Sequence, residues 1–439
     1  MRGTPSIGVP RVGSRVLTSA LVAAAALGVL IVAACGGDDG GPQGFVPQEI
    51  ERGPAIPIVV PIDAPIVIGV SSALTGPVGP RGSEYRDAVV LAVARWTESN
   101  GSTIGGHEIL VHAEDDGCTE ADITAAAAQR LLSHEGLVAV IGPQCSAGAE
   151  AVIPVYDEAG VVAISGSATR TRLTSLQSFD GFFFRTAFRN SFEGEIIGQF
   201  VADNLAVRSA YIVDDGESYG VDLARSSQVA LEERDVDVQP RTISQGQVDF
   251  GALAAEIADA SPDFVGFAGF NPEAALFYLQ LRDAGYTALF GAADAAASER
   301  DFVGPVGAEA AEGVVFAGCA PQLSEQFVSD FAALHGSDPS ASFVAHYADA
   351  ATVVLDAVAA VAEPQADGAL LVDPERLRDQ VRSATLSAGL SGPLQFDERG
   401  ERVSGARDVD SRAAELGLVG CQVQAGRFVQ LFPEVNPGG

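Results

Sequence analysis

Most of the chain after residue 65 alternates between short runs of β-branched residues and longer alanine-rich runs. The short runs predict strands and the long runs predict helices, and their alternation is typical of βαβ units around parallel sheets. A first series predicts strands at 66–70, 108–114, 138–141 and 161–164. A second series, which begins near residue 190, predicts strands at 209–213, 236–242, 264–267, 288–291 and 313–316. The two series predict an α/β protein with two doubly wound parallel sheets.

The length of 439 residues also favours two bodies, because a single hydrophobic core rarely grows beyond about 250–300 residues. The hydrophobic fraction of 47% lies in the globular range, and its residues fall in short blocks, which predicts a soluble body. Further elements follow the second series and must join one or both sheets: helices at 325–335, 343–361 and 374–383, and β segments at 394–396, 416–422 and 428–431.

Near the N-terminus, three arginines precede an uncharged stretch at 16–34 that ends directly before Cys35. This pattern predicts a lipoprotein signal peptide at 1–34, with lipidation of Cys35 after cleavage. The alternative is a transmembrane anchor, because about 20 apolar residues span a bilayer. Small residues before Cys35 and the polar Gly36-Gly-Asp-Asp39 after it favour cleavage. The Gly- and Pro-rich segment that follows predicts a flexible tether at 35–64.

Lipidation of Cys35 implies that the protein is exported. The lipid would anchor it at the outer face of the cytoplasmic membrane or in the periplasm. Acidic residues outnumber basic ones 58 to 26, and the formal net charge is −32. Such a surface repels phosphate backbones, so nucleic acid is not expected as a partner.

The sequence predicts no enzyme and no cofactor. A hydrolase would need a nucleophile in a Gly-x-Ser-x-Gly turn that an acid and a histidine follow. We expect no such turn, and none of the five histidines follows a recognisable nucleophile loop at a strand-to-helix turn. The chain has no lysine for a phosphate-binding Gly-x-x-x-x-Gly-Lys loop, and the glycines at 76–82 lack dinucleotide-site spacing. A metal site is not expected either, because close Cys-x-x-Cys pairs are absent and His107 and His112 lack the helical His-Glu-x-x-His spacing.

Four cysteines remain besides Cys35, and export would place them in an oxidising compartment, which predicts two disulfides. Three connectivities are possible from sequence. Cys118 and Cys145 follow successive predicted strands that would lie close together in a sheet. We therefore expect Cys118 to pair with Cys145 and Cys319 to pair with Cys421.

Ligands of doubly wound proteins bind at the carboxyl ends of strands, where loops and helix N-termini gather backbone N–H groups. The loops at these positions contain, in order, Ser72-Ala-Leu-Thr-Gly-Pro-Val78, Glu114-Asp-Asp-Gly-Cys118, Ile141-Gly-Pro-Gln-Cys-Ser146, Ile164-Ser-Gly-Ser-Ala-Thr169, Phe184-Arg-Thr186 and Ser218-Tyr-Gly220. In order and composition they resemble the branched-chain amino acid binding proteins of the type I periplasmic binding fold, and the resemblance extends over about 66–431.

The resemblance implies two lobes that close on a small zwitterion and are joined by three hinge crossovers. The N-terminal lobe would comprise 65–188 and 320–418, and the C-terminal lobe 189–319 and 419–439. The implied function is capture of an amino acid, with branched-chain and aliphatic ones expected first, and its delivery to the permease of an ABC importer. The alternative is a ligand-sensing module of the same fold for an amide, urea or a small organic acid.

By the same resemblance, Ser146 and Thr169 would hold the ligand carboxylate through their hydroxyl groups. Backbone N–H groups of Ser146, Ser167 and Thr169 would assist, and Ala168 would lie against the ligand in the same loop. A buried carboxylate needs several converging donors, and a serine at the start of a helix adds the helix N-terminus to its own hydroxyl. The alternative is that Ser146 and Thr169 merely cap helices.

In the second lobe, Asp294 is the expected partner of the ligand ammonium group, and Tyr219 would cover the ligand unless it merely packs at the lobe surface. Phe270 stands where the family often has a tyrosine, so it would supply no polar contact. Arg81 stands where an aromatic residue is common. Pointing inward it would pair with a second carboxylate and favour an acidic or larger ligand, but we expect it to point outward as a surface arginine.

The expected disulfides fit the implied architecture. Cys118 and Cys145 would brace the loop that carries Ser146. Cys319 and Cys421 would lie close to the second and third crossings, where their bridge would restrain the hinge.

Overall fold

The computed structural model describes residues 55–433 as a succession of strands and helices. The strands are β1 (Ile58–Val60), β2 (Ile66–Ser72), β3 (Thr103–Ile104), β4 (His107–Asp115), β5 (Leu137–Ile141), β6 (Val162–Ser165), β7 (Phe183–Arg185), β8 (Ser209–Asp214), β9 (Asp237–Thr242), β10 (Phe264–Ala268), β11 (Leu289–Ala292), β12 (Val315–Cys319), β13 (Glu363–Pro364), β14 (Leu370–Val372), β15 (Thr385–Leu386), β16 (Leu394–Gln395), β17 (Val419–Gln424) and β18 (Arg427–Phe432). The α-helices are α1 (Gly79–Asn100), α2 (Ala121–Leu132), α3 (Ser146–Ala159), α4 (Asn190–Gln199), α5 (Ser218–Glu232), α6 (Gly251–Ala260), α7 (Glu273–Asp283), α8 (Gly304–Val306), α9 (Glu325–His335), α10 (Val344–Val361), α11 (Pro374–Arg382) and α12 (Val409–Leu416).

The first sheet has six strands in the order β3-β4-β2-β5-β6-β7. Its inner strand β2 pairs in parallel with β4 and β5, and all seven of its residues are buried. Continuous burial is expected of a parallel strand that helices cover on both faces. Ile68 packs in a core with α1 and α10, whereas Val67 packs with α2 and α3 on the opposite face.

The second sheet has seven strands in the order β18-β17-β12-β11-β10-β8-β9. The five strands from β8 to β12 run parallel, and β17 and β18 add an antiparallel edge beside β12. The prediction of two mainly parallel sheets is confirmed. The last two β segments of the chain belong to the second sheet.

The chain passes between the two sheets three times. It leaves the first sheet after β7 and begins the second with β8. After β12 it returns, and α9, α10 and α11 pack in the core of the first sheet. It rejoins the second sheet at β17. The lobe boundaries expected at 188/189, 319/320 and 418/419 stay predictions.

Helix α10 is long and apolar enough to cross a membrane by length and composition, but 78% of it is buried inside the protein. Its side chains share a core with β2 and α1. The apolar character of α10 therefore fits a core helix.

The predicted flexible tether at 35–64 extends too far. Within it, β1 pairs antiparallel with β14, and Val60 is fully buried. Three consecutive β-branched residues favour a strand here, so the folded body begins before residue 64. The predicted signal peptide, Cys35 and the tether up to residue 54 lie outside the described residues.

Candidate functional site

A cavity of about 20 Å³ lies between loops of the two sheets. Its wall is formed by Arg81, Tyr85, Gln144, Cys145, Ser146, Ser167, Tyr219, Phe270, Asp294, Ala295 and Phe343. Six of the eight predicted ligand-binding residues are in this wall. The other two, Ala168 and Thr169, are fully buried and do not line it. The fold therefore brings together residues that are more than 200 positions apart in the sequence.

Two larger cavities within residues 55–433 are less suited to a charged ligand. One, of about 40 Å³, lies in the core of the second sheet, where Ser227 supplies the only polar side chain in its wall. The other is a wide cleft of about 1070 Å³, in which Glu299 pairs with Arg427, while Arg300 pairs with Glu84 and Asp301 outside the wall. Ligand sites usually combine apolar walls with a few converging polar groups, and the cavity of about 20 Å³ has this character.

The structure contains both expected disulfides. Cys118–Cys145 has a Cα–Cα distance of 4.9 Å and joins the turn after β4 to the residue before α3. Cys319–Cys421 has a Cα–Cα distance of 6.2 Å and joins β12 to β17. A crosslink that closes a loop of 27 residues is worth about 3 to 4 kcal/mol if it acts on the unfolded chain. The first disulfide thus fixes the backbone directly before Ser146.

Ser146 begins α3 at the carboxyl end of β5, where the N–H groups of the helix end are available to an anion. Cys145 is the N-cap of α3, so the alternative that Ser146 serves as the cap is wrong. The Ser146 hydroxyl accepts a hydrogen bond from the backbone N–H of Arg170 at 3.1 Å. Ser167 Oγ donates to the carbonyl oxygen of Gln144 at 2.7 Å. These bonds hold the two donor loops together.

Thr169 is fully buried, and its Oγ1 has no hydrogen-bond partner within residues 55–433. No helix begins at Thr169; its carbonyl oxygen accepts a hydrogen bond from the backbone N–H of Asn190 at 2.7 Å. Buried hydroxyl groups are usually paired. The unpaired hydroxyl is compatible with the predicted ligand contact, which stays a prediction.

Asp294 forms the opposite side of the cavity, two residues after β11, and its side chain is buried. The Tyr219 hydroxyl donates a hydrogen bond to Asp294 Oδ1. The Tyr219 ring also packs against Phe270, with ring centroids 5.3 Å apart. Tyr219 therefore orients the carboxylate, and Phe270 contributes an apolar surface.

Glu193, from α4, shares this buried site with Asp294. Its Oε1 accepts a hydrogen bond from the backbone N–H of Asp294 at 3.2 Å. Burial raises the pKa of Glu193 well above its usual range, and the charge of Asp294 raises it further. Burial also raises the pKa of Asp294, while Tyr219, Glu193 and Arg81 favour its ionised form. Two neighbouring buried carboxyl groups do not both ionise, so we assign the proton to Glu193 and the negative charge to Asp294.

Arg81 points into the cavity, so the expectation of an outward surface arginine is wrong. The side chain is 7% exposed, and Nη1 donates to the backbone oxygen of Asp294 at 3.1 Å. The physical reason is the start of α1, which begins at Gly79 and not near residue 85 as the sequence pattern predicted. A Cβ at Gly82 would lie 1.8 Å from the backbone oxygen of Ala73. This close approach holds the first turn of α1 against the cavity.

Some residues of the site were not predicted. Gln144 Oε1 accepts hydrogen bonds from Ser72 Oγ at 2.8 Å and from the backbone N–H of Ala73 at 3.0 Å. Tyr85 stacks on Tyr347, with ring centroids 4.4 Å apart. Gln144 lies in the segment 141–146, which the family resemblance includes, and its place two residues before Ser146 indicates a position near the ligand. Glu193 and Tyr85 lie in helices, whereas ligand contacts were expected in the loops that follow strands.

The expectation of no Gly-x-Ser-x-Gly turn is wrong, because Gly216-Glu-Ser-Tyr-Gly220 has this pattern; it follows β8, and its last three residues begin α5. Ser218 Oγ has no hydrogen-bond partner within residues 55–433. A hydrolytic serine is activated by a base within hydrogen-bond reach, and Ser218 has none in this arrangement.

Comparison with known proteins agrees with this architecture. A family model described as periplasmic binding protein matches residues 65–409. The leucine-, isoleucine-, valine-, threonine- and alanine-binding protein of Pseudomonas aeruginosa is 26% identical over 344 residues, which cover 76% of this chain and 87% of that protein. The Leu/Ile/Val-binding protein of Escherichia coli K12 is 26% identical over 342 residues, which cover 76% of this chain and 88% of that protein.

Among solved structures, a leucine binding protein from Thermotoga maritima is similar with a TM-score of 0.70 and 24% identity. The similarity covers 83% of this chain and 97% of that protein. It confirms the predicted type I periplasmic binding fold. The family match spans most of the chain, and the chain therefore belongs to the periplasmic binding protein family.

Proposed function

We propose that this protein is an exported solute-binding protein that captures an amino acid between two lobes and delivers it to an ABC importer. The cavity carries the proposal, because it has donor loops on one side and the Asp294 carboxylate on the other. The names of the relatives support a branched-chain or aliphatic ligand. A lipid on Cys35 would keep the protein beside its permease. The proposal includes no catalytic step.

The two ends of a zwitterion match the two sides of the cavity. The ligand carboxylate would meet the N-terminus of α3 and the hydroxyl of Ser146, with Ser167 and Thr169 beside them. The ligand ammonium group would bind Asp294, which Tyr219 orients. The aliphatic side chain would lie against Phe270 and the other aromatic walls.

Binding requires the lobes to separate and close again. The cavity volume of about 20 Å³ is about the space that one water molecule needs, so an amino acid does not fit without movement. The hydrogen bond from Arg81 to Asp294 joins α1 to the loop after β11 and would break on opening. The three connections between the sheets would act as hinges.

A ligand screen by thermal unfolding tests the proposal. L-Leucine, L-isoleucine or L-valine at about a hundred times its dissociation constant should stabilise the protein by about 2.7 kcal/mol, which raises the unfolding midpoint. Two analogues of leucine serve as matched controls. 4-Methylpentanoate lacks the ammonium group and leucinamide lacks the carboxylate, so both should give much smaller shifts. If no amino acid shifts the midpoint, the proposal is wrong.

A second candidate ligand class is acidic, and the position of Arg81 favours it. The buried guanidinium places a positive charge in the cavity wall. A planar guanidinium binds a carboxylate with two parallel hydrogen bonds. A ligand with a second carboxylate, such as an acidic amino acid or a small organic diacid, would use this group. Under this alternative the protein is a transporter subunit or a sensor for such a compound.

Arg81→Gln separates the two ligand classes. Loss of a hydrogen bond to a charged group costs about 1.5–3 kcal/mol, so affinity for an acidic ligand should fall roughly 10- to 100-fold. Affinity for leucine should stay within a few-fold of the wild-type value. Isothermal titration calorimetry with L-glutamate and L-leucine measures both. Arg86→Gln is the matched control, because Arg86 lies on the same helix, is more exposed and pairs with Asp87. Failure of the wild-type protein to bind any acidic ligand would rule out the second candidate.

A further inference from the structure

A separate cluster of metal-ligating side chains lies on the first sheet, and none of its members lines the cavity. It consists of His112, Glu114 and His134, whose ligand atoms all lie within 4.8 Å of one another. We propose that these three residues, named here the His–Glu–His cluster, bind a divalent transition metal ion such as zinc. This inference does not depend on the proposed transport function.

The fold assembles the His–Glu–His cluster from two elements. His112 and Glu114 alternate along β4, so both side chains point to the same face of the sheet. Helix α2 packs against β4, and His134 follows two residues after its end. The sequence-based expectation of no metal site rested on spacing along the chain. His134 is 22 positions from His112, and only the packing of α2 on β4 brings the two rings together.

The geometry needs little adjustment to hold an ion. His112 Nε2 lies 3.1 Å from Glu114 Oε1, and the centroids of the two histidine rings are 3.8 Å apart. Zinc bonds of about 2.0–2.1 Å in a tetrahedral site place the ligand atoms about 3.4 Å apart. Side-chain rotations are enough to close the remaining gap, because all three residues are partly exposed.

Arg130 orients the carboxylate of Glu114. Its Nε donates to Glu114 Oε2 at 2.5 Å, which leaves Oε1 directed toward His112. Such partners of ligating carboxylates orient the ligand, and Arg130, with about half of its side chain exposed, can move away from the ion.

The chemistry of the ligands selects the class of metal. Two imidazole nitrogens and one carboxylate oxygen suit Zn²⁺, Cu²⁺ and Ni²⁺, whereas Ca²⁺ and Mg²⁺ prefer oxygen ligands alone. Three protein ligands leave a coordination position for water. The bound ion would link the end of α2 to β4. The net charge of −32 raises the local concentration of any cation near this surface.

Isothermal titration calorimetry with zinc sulfate tests the site, on purified protein without a polyhistidine tag and after removal of metal by a chelator. We expect one zinc ion per chain, and a loss of at least tenfold in affinity for both His134→Ala and Glu114→Gln. Calcium and magnesium should not bind measurably.

His335→Ala is the matched control. His335 Nδ1 lies 2.6 Å from Asp87 Oδ2, so this pair offers a histidine and a carboxylate without a second histidine. Replacing His335 with alanine should leave the zinc affinity unchanged. Cobalt(II) gives an independent readout, since its visible absorption should appear in the wild-type protein and be lost in His134→Ala. The proposal is wrong if zinc does not bind with saturation up to millimolar concentration, or if folded His134→Ala binds zinc as tightly as the wild-type protein.

Discussion

Replacing Asp294 with asparagine is expected to lower the affinity for an aliphatic amino acid about a hundredfold. Asparagine keeps the size of the side chain and an acceptor for the Tyr219 hydroxyl, but it removes the charge that would balance the ligand ammonium group. Removing one partner of a buried charge pair costs about 2–5 kcal/mol, and each 1.4 kcal/mol is about tenfold in affinity. Calorimetric titration with L-leucine measures the loss.

Asp214→Asn provides the matched control for this substitution. Asp214 ends β8 in the same sheet, and its carboxylate accepts hydrogen bonds from the Gly216 N–H and the Thr242 hydroxyl without lining the cavity. Its variant should bind leucine normally. The Asp294→Asn protein should stay folded, because asparagine has nearly the size of aspartate and keeps an acceptor for the Tyr219 hydroxyl. Unchanged leucine affinity in Asp294→Asn would contradict the ammonium assignment.

Replacing Glu401 with alanine is expected to destabilise the fold by about 3–5 kcal/mol, because it leaves the buried guanidinium of Arg185 without its counter-charge. Arg185 is fully buried, and its Nε donates to Glu401 Oε1 at 2.8 Å and to Oε2 at 2.9 Å. Its Nη1 also donates to the carbonyl oxygen of Arg170 at 2.7 Å, next to the donor loop of the ligand site. The midpoint of urea unfolding should fall accordingly, and Trp96, the single tryptophan, provides the fluorescence signal.

Glu363→Ala tests whether burial causes this effect. Glu363 pairs with Arg376, and about half of each side chain is exposed. Exposed ion pairs contribute about 0–1 kcal/mol, so the unfolding midpoint of this variant should barely change. Equal losses of stability in the two variants would show that burial of the Arg185–Glu401 pair has no special role.

Some features could be predicted from the pattern of residue types or from the order of loops along the chain. The alternation of β-branched and alanine-rich runs predicted both sheets, and the resemblance of the loops to a known family led to five residues of the cavity wall, Ser146, Ser167, Tyr219, Phe270 and Asp294. The pairings of Cys118 with Cys145 and of Cys319 with Cys421 were also predicted correctly.

The features that could not be predicted depend on contacts between distant segments. The inward direction of Arg81 follows from the early start of α1, which the close approach of Gly82 to Ala73 fixes. Glu193 belongs to the site because α4 packs beside the loop of Asp294. The strand β1 exists through its pairing with β14, far along the chain. None of these contacts leaves a periodic signal in the local sequence.

The position of β17 and β18 has a consequence for how the protein is made. These strands complete the second sheet beside β12, but α9 to α12 separate them from it along the chain. Non-local pairing of this kind slows folding, because distant segments must meet before the sheet is complete. We expect the second sheet to stay incomplete until β17 has left the ribosome. If the protein is exported, this delay prolongs the time in which the chain is still open enough to enter a narrow channel.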